Sequence, residues 1–514
     1  MNDPSPIHVA VARRAAATPD AIAVVTPHER VGYAELDAAA DGWAARLGEL
    51  GVGPGDLVPV DLPRSAELVA VLLGVLKSGA GYAALDHRWP PERVRTVLET
   101  LSPPLFITRR PVPGALVPSW APDGEPPRAP RTPPPDVTGD APATVFFTSG
   151  TSGAPKAVVS PHRATTRLAR DARAWTGPGR SMAQISPVSW DAFSLEVWGT
   201  LITGGRCVVS EGDHLLPSGL RSLIREFGAD AAFLTTSLLN LIAEEDPDSL
   251  RGLRTLVTGG ERMSAGHVRR CLETHPGLEV INGYGPVESC VFAATHPVEP
   301  DDCAAPEGVP LGTAVSRTGI HVLRGEEPAA PGEIGEICLS GDGLALGYLG
   351  DPGLTAAKFP TVRVAGSPTR IYRTGDRGLL DARGVLHFRG RGDRQLKIAG
   401  HRVEPQEIEA AARRIPGVRA CAVAALRDTA DGTGGTRLAL FYTTEPPGAP
   451  EHRDLGPAAL RRELAARLPR HLVPHFLSPQ PAFPLTPNGK VDRAALLALL
   501  PVPAAEGHAP NRSS

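Results

Sequence analysis

Residues 146–164 read FFTSGTSGAPKAVVSPHRA. An apolar strand runs into a Ser/Thr/Gly loop, then a lysine, then a segment after His162 with helical spacing. Glycines let the backbone turn tightly enough for N–H groups to converge on an anion. Around Gly150, the hydroxyls of Thr148, Ser149, Thr151 and Ser152 add donors, and Lys156 supplies a mobile charge. The spacing does not match G-x-x-x-x-G-K-[ST], so this is not the nucleotide loop of P-loop NTPases. Taken alone, the stretch also reads as a polar surface loop. Its lysine makes it stand out. Of the 53 Lys plus Arg residues only five are lysine: Lys77, Lys156, Lys358, Lys397 and Lys490. Lysine is a compact point charge on a flexible stem and arginine a planar fork, so the positions that keep lysine mark tight sites.

Working outward, residues 66–86 (AELVAVLLGVLKSGAGYAALD) predict a buried helix, a glycine break and a strand. The proline-rich stretch 109–140 reads as a surface connector. Beyond it, ATVFF, AQISPV, RCVVS, DAAFLTT, LRTLVTGG and LEVINGYG read as strands, and SLEVWGTLITG and PSGLRSLIREFG as helices. Strands alternating with helices predict an α/β fold whose mostly parallel sheet is covered on both faces, with ligands at the carboxyl ends of the strands. After about residue 300, shorter strands and glycine turns appear. EPQEIEAAARRIPGVRACAVAAL then predicts a helix and a strand of a small α+β domain. The expected division is a large N-terminal domain over 1–392, a small C-terminal domain over 393–501, and a disordered tail over 502–514.

Whole-chain properties narrow the function. The 514 residues exceed one small domain, and 42% apolar with 21% charged content fits a globular protein. A net charge of −3 argues against nucleic acid or an anionic membrane as the main partner. The apolar run at 69–76 is too short to span a bilayer, and the N-terminus has no signal-peptide pattern. The six cysteines are scattered without a C-x-x-C pair, as expected of buried thiols in the cytoplasm.

TSGTSGAPKAVVSPH (148–162) resembles the phosphate loop of adenylate-forming enzymes. Further motifs follow in order: LKSGAGYAALD (76–86), NGYGPVES (282–289), GEICLSGDGLALGYL (335–349), YRTGDRG (372–378), GRGDRQLKIAGHRVEPQEIE (390–409), ARLPRHLVP (466–474) and PLTPNGKVDR (484–493). Together they resemble the adenylation domains of nonribosomal peptide synthetases over nearly the whole chain. That resemblance implies attack of a carboxylate on the α-phosphate of ATP, with Mg²⁺, to give an acyl-adenylate and pyrophosphate. In it, Lys490 bridges the carboxylate and the α-phosphate, Glu288 holds Mg²⁺, and Lys156 serves the phosphates. Tyr284 stacks on adenine, Asp376 binds the ribose hydroxyls with Arg391, and Asp393 is a hinge. Gly260, Glu261, Asn282, Gly283 and Gly285 belong to the same nucleotide site. Val287 replaces a common threonine, and Ala157 and Ala399 a common glycine and arginine.

Asp191, in SWDAFSLEVW, reads either as a helix N-cap or, by the resemblance, as the partner of an α-ammonium. The implied pocket is Asp191, Ala192, Leu195, Phe233, Val257, Gly259, Gly283, Val291 and Phe292, with Lys490. Between its end groups it is apolar or glycine, which implies an aliphatic amino acid of the valine or isoleucine kind. No carrier signature follows the last motif, so the implied acceptor is the phosphopantetheine thiol of a separate carrier protein. Transfer to coenzyme A or an amine, or a catalytically impaired nucleotide binder, are the alternatives.

Overall fold

The computed structural model describes residues 5–127, 135–150, 153–171, 175–210, 212, 215–305, 308–364, 366–392, 395–398, 400–427, 436–444, 453, 455–484 and 491–500. The chain divides into two compact units, one of 1–149 with 155–402, the other of 150–154 with 403–514.

The first unit is α/β and holds three large sheets. In a nine-stranded sheet, Ile22–Val25, Arg206–Val209, Ser181–Gln184, Ala231–Thr235, Thr255–Gly259 and Glu279–Tyr284 run parallel, with antiparallel strands at both edges. Their residues are almost all buried, as a sheet covered on both faces requires. A second sheet, of seven strands, contains the strand predicted after the helix and glycine break, and all three segments form as expected. Ser65 caps Ala66–Lys77 by accepting the Leu68 N–H at 3.0 Å, and every residue of that helix except Glu67 is buried. Gly79 turns the chain at φ +87°, and Gly81–Ala84 pairs with Leu57–Asp61. The two sheets share a core around Tyr82, Trp198 and Leu72, where the Trp198 indole N–H donates to the Tyr82 hydroxyl at 2.6 Å. The third sheet is antiparallel and lies within Thr318–Arg391.

The strand before the loop at residue 150 and the helix from His162 are as expected, but a second strand lies between them and makes the loop a hairpin. Pro142–Thr148 pairs antiparallel with Lys156–Pro161, and a short helix starts only at His162. Val158 and Val159 are buried in the sheet, where their β-branched side chains fit the pleat. The helix expected over SLEVWGTLITG is π-wound at Ser194–Gly199 and α only over Thr200–Thr203. The segment 109–140 carries a short strand, Ser119–Trp120, beside Phe106–Thr108. All six cysteines are buried and unpaired.

In the second unit, helix Pro405–Arg413 packs on a three-stranded sheet of Val418–Arg427, Thr436–Thr444 and Phe476–Pro479. Its core gathers Ala422, Ala424, Ala439, Phe441 and Leu496. Buried Glu409 accepts from the Val423 N–H and the Arg493 guanidinium, both at 3.0 Å, which ties the last helix to the sheet.

Candidate active site

One cavity of the first unit opens at the carboxyl ends of strands Ala231–Thr235, Thr255–Gly259 and Glu279–Tyr284. That is where a parallel sheet leaves its loops free to hold a ligand. One end of it is apolar, with Ala192, Phe233, Gly283, Val291 and Phe292 on its wall and Asp191 beside them. The other end is polar, with Asp376, Arg391, Gln395, Lys397 and Arg402.

Asp191 does not cap the helix that follows, which has no side-chain cap. Its Oδ2 instead accepts the Val291 N–H at 2.8 Å. Burial pushes its carboxyl up from 3.8 to about 6, against the pull of the Val291 and Ala192 N–H groups, and the nearby Glu288 charge pushes the same way. No cation pairs with it among the described residues. The apolar end is shaped by glycine. A Cβ on Gly283 would lie 2.2 Å from the Phe292 ring, and one on Gly259 2.2 Å from the Gly283 carbonyl oxygen. Leu195, Val257 and Gly259 do not line the cavity; Leu195 and Val257 lie in the same buried cluster as Phe233, Val291 and Phe292.

At the polar end, Tyr284 donates its hydroxyl to Asp376 Oδ2 at 2.7 Å, and the Arg391 guanidinium holds Asp376 Oδ1. Burial and the Asp376 charge push the Tyr284 phenol well up. Glu288 is fully buried. Both of its oxygens lie 2.8 Å from Arg402 Nη1, and Tyr348 donates to Oε1 at 2.7 Å. Burial alone would raise the Glu288 carboxyl, but the Arg402 charge and the hydrogen bonds it receives overcome that and hold the group below its usual range.

The remaining sequence-predicted residues fall as follows. Gly260 lines the cavity at φ +87°, and Gly285 lines it too. Glu261 accepts from the Ser237 hydroxyl. Asn282 is committed to the fold, since its amide donates to the Pro310 carbonyl at 2.7 Å. Val287 lines the cavity, and Ala157 is buried in its strand. Thr148 Oγ1 and Ser289 Oγ are buried hydroxyls with no hydrogen-bond partner among the described residues. The Ser149 hydroxyl donates to the Arg402 carbonyl. Lys156 stands opposite Thr148 in the hairpin. Gly150 belongs to the second unit, where its N–H meets Glu407 Oε2 at 3.1 Å. Thr151, Ser152, Asp393, Ala399 and Lys490 lie outside the described residues.

Lys397 and Arg402 are among the cavity residues that went unassigned in the sequence. Lys397 sits 5.9 Å over the Tyr284 ring; burial lowers its pKa, with Asp376 pulling the other way. Its signal was present, because it is one of only five lysines. Arg402 had none, being one arginine among many. Lys77, by contrast, is structural: its ammonium reaches Asp37 at 2.6 Å and Asp41 at 2.5 Å. Among the described residues, no group of three or more His, Cys, Asp or Glu is placed to hold a metal ion. No helix among them is long and apolar enough to cross a membrane.

Residues 11–349 match the AMP-binding enzyme family, and residues 407–490 match the AMP-binding enzyme C-terminal domain. The chain is 36% identical over 509 residues to one of the linear gramicidin synthase proteins of Brevibacillus parabrevis, covering 95% of this chain and 6% of that protein. It is 34% identical over 499 residues to a dimodular nonribosomal peptide synthase of Bacillus subtilis, covering 94% of this chain and 20% of that one. A solved structure of an NRPS protein containing adenylation and PCP domains superposes with a TM-score of 0.85 at 35% identity, covering 97% of this chain and 98% of that one. The chain therefore spans a small part of the two synthases. It belongs to the AMP-binding enzyme family. Within that family it is of the nonribosomal-peptide-synthetase type of adenylation domain, a class of amino-acid-adenylating ligases.

Proposed function

We propose that the protein activates an aliphatic amino acid with ATP, forming an aminoacyl-adenylate and releasing pyrophosphate, and passes the aminoacyl group to the phosphopantetheine thiol of a separate carrier protein. The observation that carries this reading is Asp191: a carboxylate with no cation partner among the described residues, beside an apolar wall. A buried carboxylate of this kind is stabilised by a cationic ligand group, which an α-ammonium supplies and a fatty or aryl acid does not. The apolar wall accepts an aliphatic side chain and offers a charged one no partner.

In this reading the polar end takes the nucleotide. Asp376, oriented by Tyr284 and Arg391, has lone pairs left to accept both ribose hydroxyls. Tyr284 offers its ring to adenine. Thr148–Ser152, Lys156, Gly260, Glu261, Gly283 and Gly285 serve the phosphates and adenosine. Thr148 and Ser289 keep buried hydroxyls without partners among the described residues, which suits them to phosphate oxygens; Ser289 thereby supplies the donor that Val287 lacks. Lys490 carries the charge that joins the substrate carboxylate to the α-phosphate, and Asp393 is the hinge.

Glu288 is the acid at this end suited to Mg²⁺, an ion that commonly takes one or two carboxylates and fills its shell with phosphate and water. Its two oxygens now share Arg402 Nη1, so the guanidinium and the metal compete for one carboxylate. When bound, the metal would neutralise phosphate charge as pyrophosphate leaves. Exchange of labelled pyrophosphate into ATP, dependent on an aliphatic amino acid, tests the first step. Mass spectrometry of a phosphopantetheinylated carrier protein tests the second.

A further inference from the structure

The wall of the amino acid cavity contains a strained turn. Cys290 and Val291 have φ of +47° and +65°, a region that costs a β-branched residue like valine backbone strain. The turn sets two features of the cavity at once. It aims the Val291 N–H at Asp191, and it places the Val291 and Phe292 side chains on the wall.

Beneath it lies Arg167, which does not line the cavity and is among the largest fully buried side chains of the protein. Its Nη2 donates to the carbonyls of Ser289, of Cys290 at 3.0 Å and of Phe292 at 2.7 Å. Its Nη1 donates to the Thr318 hydroxyl at 3.1 Å. Among the described residues no carboxylate touches the guanidinium; Asp171 and Asp342 act on it only through space. Asp171 is engaged with Ser316, through the N–H and the hydroxyl at 2.8 Å each. Gly343 leaves the room, since a Cβ there would lie 2.5 Å from Arg167 Nε.

A buried cation bonded almost wholly to carbonyls of one turn is an expensive way to fill space. It is an effective way to hold that turn, because Nη2 gathers three of its carbonyls while Nη1 anchors the same planar group to Thr318, two points that an ammonium cannot span together. We propose that Arg167 is a positioning residue for the amino acid: it straps the 289–292 turn, and so fixes the Val291 N–H on Asp191 and the width of the apolar end. This rests on the reading of that cavity as an amino acid site.

The test compares wild type with Arg167→Lys and with the milder Thr318→Val, which leaves the charge in place. In amino-acid-dependent pyrophosphate exchange, Arg167→Lys should raise KM for valine or isoleucine about tenfold or more and change the ratio of kcat/KM between them, while KM for ATP stays within about twofold. Thr318→Val should move KM in the same direction by less. Equal changes in both KM values, or a fall in kcat alone, would overturn the proposal. Hydrogen exchange of the 287–293 segment decides the strap without any substrate: faster exchange in Arg167→Lys supports it, and unchanged exchange overturns it. If wild type exchanges with no amino acid at all, the reading of the cavity falls, and the hydrogen-exchange comparison still judges the strap.

Discussion

Asp191→Asn should make the free protein more stable and abolish its use of amino acids. Burial raises the Asp191 carboxyl from 3.8 to about 6 in the folded protein. Keeping it ionised therefore costs up to ~3 kcal/mol, at about 1.36 kcal/mol per pKa unit. Its access to cavity water reduces that to about 1–2 kcal/mol. Because the folded pKa lies above the unfolded one, the cost is absent below about pH 3.8 and complete above about pH 6. The wild type thus loses this increment as pH rises through the window, and the neutral asparagine does not. Its amide oxygen can still accept the Val291 N–H. For a unit this large, the gain corresponds to about 2–3 °C in Tm. Thermal or urea unfolding of the unliganded protein at pH 8 should show it, and at pH 4 the two proteins should coincide. Pyrophosphate exchange with valine should be lost in the variant. A variant less stable at pH 8, or one equally stabilised at both pH values, would refute the reasoning that an unpaired buried charge waits here for a cation.

Other expectations follow from the same geometry. In the wild type, kcat/KM for the amino acid should fall about tenfold per pH unit below about pH 6, as protonated Asp191 loses its hold on the ammonium; a profile flat to pH 5 contradicts this. Gly283→Ala drives a Cβ to 2.2 Å from the Phe292 ring and should cost about 1–3 kcal/mol of stability, with a larger loss of amino acid use than of ATP binding, read by unfolding and exchange kinetics. Arg402→Met strands the buried Glu288 carboxylate and should cost about 3–5 kcal/mol. Adding Glu288→Gln should restore much of that in urea unfolding, and a double variant no better than the single would show that the pair is not what matters.

Much of this organisation is readable in the sequence because it depends on short-range pattern. The parallel strands are apolar runs bounded by turn residues, and the helix at 66–77 is announced by its apolar run and the glycines that follow it. What escapes reading is decided by distant partners. KAVVSP becomes a strand because Pro142–Thr148 lies beside it, and a Val-Val pair alone does not separate strand from helix. Arg402 meets Glu288 across 114 residues, and Arg167 meets the 289–292 carbonyls across more than 120. In a chain so rich in arginine neither residue carries a local signal. Lysine scarcity cuts both ways: it marks Lys397 in the cavity, but also Lys77, whose burial between Asp37 and Asp41 serves the fold.

The central claim is that Asp191 and its apolar surroundings select an aliphatic amino acid for adenylation. It is tested most directly by pyrophosphate exchange into ATP across the common amino acids, aryl acids and fatty acids, in wild type and Asp191→Ala. The account predicts strong exchange with valine, isoleucine or leucine that disappears in the variant. Exchange confined to acids without an α-amino group, or undiminished in Asp191→Ala, would contradict it.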